Sequence, residues 1–97
     1  MEIPVPPGAS KILQFRLCGD SKDGLQLTLR RGGWNADTSS REETDILRAV
    51  PVAGRPFNNY FKIDPAKQGL HPLNHGLAVS IFANGETEIW LVAAEFA

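Results

Sequence analysis

His71 and His75 are the only histidines in the chain, and they lie four residues apart. On a helix that spacing puts both imidazoles on one face, the arrangement by which one turn supplies two zinc ligands. Pro72 stands between them and Gly69 and Gly76 flank them, which argues against a helix. The position after His71 is proline, so the glutamate that serves as general base in a helical His-Glu-x-x-His site is absent. Loop histidines that bond backbone groups are the plainer reading. A small enzyme or metal protein using His71 and His75 stands behind it as one alternative, and no metal or cofactor is expected.

Other reactive residue types are equally unsupported by their neighbours. Cys18 is the single cysteine, so no disulfide can form within the chain. It falls in an alternating run and reads as a small buried hydrophobe. No serine sits in a Gly-x-Ser-x-Gly elbow. Glu42, Glu43 and Asp45 form an acidic group, but Arg41 and Arg48 beside them make it a solvated face rather than a carboxylate pair. Gly32-Gly33 lacks the Lys-Ser/Thr that follows a phosphate-cradling loop, and Arg30-Arg31 is too small a basic group for nucleic acid. The balance of the sequence is therefore against catalysis.

A more diffuse group suits recognition. Trp34, Arg55, Asn58, Asn59, Tyr60, His71, Asn74 and His75 all fall in or beside segments read as loops. Aromatic surfaces supply contact area and amide and imidazole groups supply direction, the combination that sugar or peptide binding uses. The three loops 32–40, 53–60 and 67–75 would then have to meet at one end of the sheet.

The elements that must position these residues are strands. Ninety-seven residues suffice for one domain with one modest core, and 42% hydrophobic with 22% charged residues is an ordinary globular composition. Net charge is −1 with cations scattered along the chain, so no nucleic-acid partner is expected. No apolar run approaches the length of a membrane span, and the start, Met-Glu-Ile-Pro-Val-Pro-Pro-Gly, does not resemble a secretory signal. The expected location is cytoplasmic, without membrane contact.

Residues 1–10 read as an extended Pro-rich lead-in. Residues 11–18 alternate, with Leu13, Phe15 and Leu17 on one side, and residues 25–30 alternate again around Leu25, Leu27 and Leu29. Gly19-Asp20-Ser21-Lys22-Asp23-Gly24 between them has turn composition, which predicts a hairpin. Ser40-Arg41-Glu42-Glu43 has the form of a capping box, predicting a short helix over 41–49 that Pro51 closes off. A strand through Ile46, Arg48, Val50 and Val52 is the competing reading, and it would make the fold all-β. Residues 59–64 form a further short strand. The fold class is mainly β (α+β): about five antiparallel strands in a small barrel or sandwich, with one short helix.

The strongest local signal lies at the end of the chain. Asn84-Gly85 between two apolar runs predicts a C-terminal β-hairpin over 76–96. A three-residue loop, Ala83-Asn84-Gly85 with Gly85 left-handed, puts Leu77, Val79, Ile81, Ile89, Leu91 and Ala93 on a core face. The opposite face then carries Phe82, Trp90 and Val92, with Phe96 beyond, too apolar for water. Either other parts of the chain cover this face or a second subunit does; in the latter case it is the expected interface of a small, non-catalytic binding or assembly module that forms a homo-oligomer. A protein or small-molecule partner is the second possibility, served by the loop residues named above.

Overall fold

Residues 12 to 35 alternate for most of their length, and they form one strand rather than two. The computed structural model describes residues 1–35, 37–67 and 76–97, including all their side chains except those of 33–35, 41 and 42. In chain order the strands are β1 (Glu2–Ile3), β2 (Ile12–Asn35), β3 (Ser40–Lys62), β4 (Gly76–Ala83) and β5 (Thr87–Phe96), with a 3-10 turn at Pro65–Lys67. The protein is mainly β, with five antiparallel strands in one sheet among the described residues. β2 is the spine. β3 pairs along one side of it from Gln14↔Lys62 to Asn35↔Ser40. On the other side β4 pairs with Leu25–Gly32 and β5 with Ile12–Ser21.

That last arrangement corrects both predicted hairpins. β4 and β5 do not pair with each other; they run in one direction, end to end, along the same edge of β2. Gly85 is not left-handed. The turn-like residues 19–24 lie within β2, and their partners across the sheet are Gly54 in β3 and the Asn84-Gly85 junction, since Ser21 faces Gly54 and Thr87 while Leu25 faces Val52 and Ala83. Three clusters of turn residues thus line up across three strands. Together they make a corner.

The corner folds the sheet back on itself. Straight, the steps from Ile12 to Arg31 would span about 63 Å at ~3.3 Å per residue. Yet Ile3 is paired with Leu77, and Leu77 with Arg31. The chain from Ile3 to Ile12 can reach only about 30 Å, and two strand spacings add about 10 Å. The two ends of β2 must therefore come together, as principal extents of 45 × 24 × 21 Å require. A near layer (residues 12–20 of β2 with the end of β3 and β5) faces a far layer (residues 25–32 with the start of β3 and β4). Between them lies a single core.

That core contains Ile12, Phe15 and Leu17 from the near layer and Leu25, Leu27, Leu29 and Val79 from the far layer, all nearly or fully excluded from water. Each such side chain contributes about 1.5–3 kcal/mol of hydrophobic stabilisation. Phe15 and Phe61 pack at a ring-centroid distance of 6.4 Å. The lead-in is not wholly outside the sheet, because Glu2 and Ile3 extend the β4 edge and Val5 packs on the core.

At the corner, Gly24 adopts φ +84°, a left-handed conformation that glycine enters without steric cost. The Asn84 amide N–H donates to the Gly24 carbonyl at 3.0 Å, and the Asn84 side chain donates to the Asp23 carbonyl at 3.3 Å. Ser21 is fully buried there, its hydroxyl 2.8 Å from that of Thr87. The polar groups of a bend are thus satisfied inside the sheet.

The predicted helix over 41–49 is part of β3. Glu43 and Asp45 reach the basic Arg30 across the sheet instead of capping a helix. Arg30 Nε donates to Asp45 Oδ1 at 2.8 Å, and Arg30 also lies 3.6 Å from Glu43. Ile46 is buried in the core. Tertiary pairing has overridden a local capping signal. One extra residue near Ala49, which has φ +46° and donates its N–H to the Thr28 hydroxyl at 3.1 Å, adjusts the register between Leu47 and Val50.

Candidate functional site

A second register shift decides which residues the near layer shows to water. Cys18 faces Leu91 and Gly19 faces Ile89, so Trp90 is an extra residue in a β-bulge. Strand residues alternate between faces, and one inserted residue reverses the alternation beyond it. Leu77, Val79, Ile81 and Ile89 face the core as predicted, but after the bulge Val92, Ala94 and Phe96 turn inward and pack on it. Leu91 and Trp90 are left on the outside together, 38% and 56% exposed. The predicted interface of Phe82, Trp90, Val92 and Phe96 is therefore not one face. Phe82 is 72% exposed but stands on the far layer, opposite Gln26.

Around Trp90 the outer surface of the near layer is ordered in rows. Tyr60, Arg16 and Ala93 form one row; Asn58, Cys18 and Leu91 form the next. The Arg16 guanidinium carbon lies 4.8 Å from the centre of the Tyr60 ring, a cation–π contact that leaves Tyr60 54% exposed. Arg16 Nε donates to Asn58 Oδ1 at 3.0 Å, and the Cys18 thiol donates to the same oxygen at 2.9 Å. These contacts fix Tyr60 and Asn58 on a rigid strand. A shallow depression runs between Tyr60 and Ala93, with Gln14 and Glu95 at its end.

Charged residues close this surface above and below. Lys62, Gln14 and Glu95 share one row. At the corner Arg55 Nε lies 3.2 Å from Asp20 Oδ2, and Asp20 in turn faces Glu88. Polar ends thus flank an apolar and aromatic middle. No family model matches this chain, and no curated protein or solved structure shows significant similarity to it.

Of the predicted binding residues, Asn58 and Tyr60 come together on this surface and Arg55 lies nearby at the corner. Asn59 is paired with Leu17 on the opposite side of β3. The backbone of Trp34 lies in β2, paired with Arg41, whereas its side chain is outside the described set. His71, Asn74 and His75 lie outside the described residues, as does most of the predicted 67–75 loop. Asn58, Asn59 and Tyr60 stand in a strand, not in the loop assigned to 53–60. Among the described residues no group of three His, Cys, Asp or Glu is placed to hold a metal ion.

Sequence reasoning gives no binding role to Arg16, Cys18, Leu91, Lys62, Glu88 or Glu95. Arg16 and Lys62 each occupy the wet phase of an alternating run, but nothing local says that β3 lies beside β2 in the register that joins them. Alternation assigns Leu91 to the core, because a bulge of one residue leaves no trace in composition.

The far layer has its own polar cluster. The Asp45 carboxyl is held below the usual carboxylate range, chiefly by the hydrogen bond from Arg30; partial desolvation opposes this, and the charges of Arg30, Arg48 and Lys67 reinforce it. The Arg30 guanidinium is correspondingly raised by the same bond. This network ties β2 to β3.

Proposed function

We propose that this protein is a non-catalytic assembly module that associates with further copies of itself through the outer surface of the near layer. The observation that carries the reading is the bulge at Trp90. It places Trp90 and Leu91 side by side in water on a strand whose outer edge has no partner among the described residues, with Tyr60 on the same surface. Exposed aromatic and aliphatic side chains in contact mark association surfaces, and an unpaired apolar edge strand is a template for another strand. Trp and Tyr are also the residues that carry most binding energy at protein interfaces. Within the near layer, Arg16, Cys18 and Asn58 cross-link β2 to β3 beside Tyr60. Association would therefore need little reordering.

Sedimentation velocity from low to high micromolar concentration tests this directly. The expected result is a mass that rises with concentration, and a Trp90→Ser variant that keeps its fold but shifts the rise to higher concentration by at least tenfold, the effect of removing one interface anchor worth about 1.4 kcal/mol or more. A strict monomer at high micromolar concentration contradicts the proposal.

A further inference from the structure

The two edges of the near layer carry opposite charge. From Gly54 to Lys62, the part of β3 in this layer, the chain contains Arg55 and Lys62 and no acidic residue. From Gly76 onward the chain contains Glu86, Glu88 and Glu95 and no Lys or Arg. Arg55, Lys62, Glu88 and Glu95 are all exposed; Lys62, Glu88 and Glu95 belong to the rows that bound the outer surface, and Arg55 is ion-paired with Asp20 at its corner end. Neither outer edge of this layer is paired among the described residues.

The spacing matches as well as the sign. Arg55 and Lys62 are seven residues apart on β3, and Glu88 and Glu95 are seven apart on β5. Each strand has one extra residue relative to β2, where Asp20 and Gln14 occupy the same two rows. Lys62 thus lies in the row of Glu95, two strands away across the sheet, while Arg55 is ion-paired with Asp20, the residue that faces Glu88.

We infer that copies of this chain join head to tail, the basic β3 edge of one against the acidic β5 edge of the next, so that Lys62 meets Glu95 between copies. This rests on the self-association proposed above and specifies its geometry. β3 and β5 both run antiparallel to β2, so they point the same way. A second copy with its outer surface on the same side can then dock its β3 on β5 only in parallel, and each row continues into the next molecule. Trp90 and Leu91 of one copy come beside Asn58 and Tyr60 of the next.

Two-fold pairings edge to edge are disfavoured by the same residues. A β5–β5 pair centred on the apolar residues sets Glu88 opposite Glu95, and a β3–β3 pair centred likewise sets Arg55 opposite Lys62. Directly opposed like charges on neighbouring strands repel, whereas opposed unlike charges attract. A head-to-tail contact leaves one edge of each kind free at the ends, so it grows into a closed ring or an open filament. Pro56, which cannot donate a ladder bond, limits the new pairing to residues 57–62 of β3 and leaves Arg55 with Asp20 of its own chain.

Charge reversal in one row provides the test. Lys62→Glu makes both ends of that row acidic, and Glu95→Lys makes both ends basic. Neither residue is buried, so thermal unfolding should show both variants folded. Each variant alone should associate about tenfold more weakly than the wild type in sedimentation velocity, through loss of an attractive pair and gain of a repulsive one. An equimolar mixture of the two should regain association, since the basic end of a row in one variant then meets the acidic end in the other. Added salt should weaken the wild-type contact. If the wild type associates but the single reversals do not weaken it, or mixing restores nothing, the head-to-tail geometry is wrong and self-association stands. If the wild type is monomeric throughout, both proposals are overturned.

Discussion

Gly19→Ala is the substitution that most sharply separates a folded corner from a surface turn. Gly19 lies within β2 between Phe57 of β3 and Ile89 of β5. A Cβ placed there would collide with the Glu88 carbonyl oxygen and stand 2.9 Å from the tip of the Phe57 ring. The carbonyl belongs to the paired backbone of β5, and Phe57 is itself buried, so neither can turn away. To admit one methyl group β5 must move off β2 or Phe57 must leave its site. Overpacking of this kind costs typically about 1–3 kcal/mol, and losing a ladder bond adds about 1 kcal/mol. A loss of about 3 kcal/mol, at a urea m-value of about 1.5 kcal/mol/M, lowers the unfolding midpoint by about 2 M. Urea titration followed by far-UV circular dichroism reads this shift. If residues 19–24 formed an exposed hairpin turn, the same methyl group would be nearly neutral. A midpoint within about 0.3 M of the wild type, a fraction of the shift expected from overpacking, would refute the corner.

Two further outcomes follow from local geometry. Asp45 has its folded-state pKa lowered by Arg30, so its stabilising contribution is fully present above the ordinary carboxylate value and is lost as pH falls through the lowered folded value. The urea midpoint of the wild type should therefore drop more steeply on acidification than that of Asp45→Asn, and parallel drops would contradict the assigned role of the Arg30–Asp45 bond. Ala49 holds φ +46°, where an L-residue is strained by about 1–2 kcal/mol. Ala49→Gly removes that strain at some cost in unfolded-chain entropy, so a net gain of up to about 1 kcal/mol is expected in the same titration; a loss of stability would show that Ala49 is not strained.

Much of the local structure is legible in the sequence, and the non-local part is not. Alternation places Phe15, Leu17, Leu25, Leu27 and Leu29 inward and Gln26 and Arg30 outward, as found, whereas Leu13, also placed inward, yields its core position to Ile12 at the register shift between Ile12 and Gln14. The antiparallel, mainly β class follows from the same pattern. What alternation cannot reveal is which strands are neighbours. Gly, Asn, Asp and Ser serve a hairpin turn and a sheet corner equally well, because both need tight backbone and local hydrogen bonds. Asn84-Gly85 reads as a turn, yet its flanking runs each pair with β2. The acidic residues 42–45 satisfy a helix cap on paper, but Arg30, 15 positions before Asp45 in the chain, binds one of them across the sheet. At the candidate surface Tyr60, Asn58 and Trp90 stand out for their chemistry. Their true company, Arg16, Cys18 and Leu91, depends on register and on one bulge.

Zero-length cross-linking of a mixture of isotopically light and heavy protein tests the assembly most directly. A carbodiimide joins a lysine amine to a carboxylate only where the two touch. Within one molecule β2 separates Lys62 from Glu95 by two strand spacings, about 10 Å. Mass spectrometry should therefore find Lys62 joined to Glu95 in peptides that carry one light and one heavy partner. Cross-links confined to single molecules under conditions where the protein is associated, or mixed ones that bypass both β3 and β5, would contradict the account.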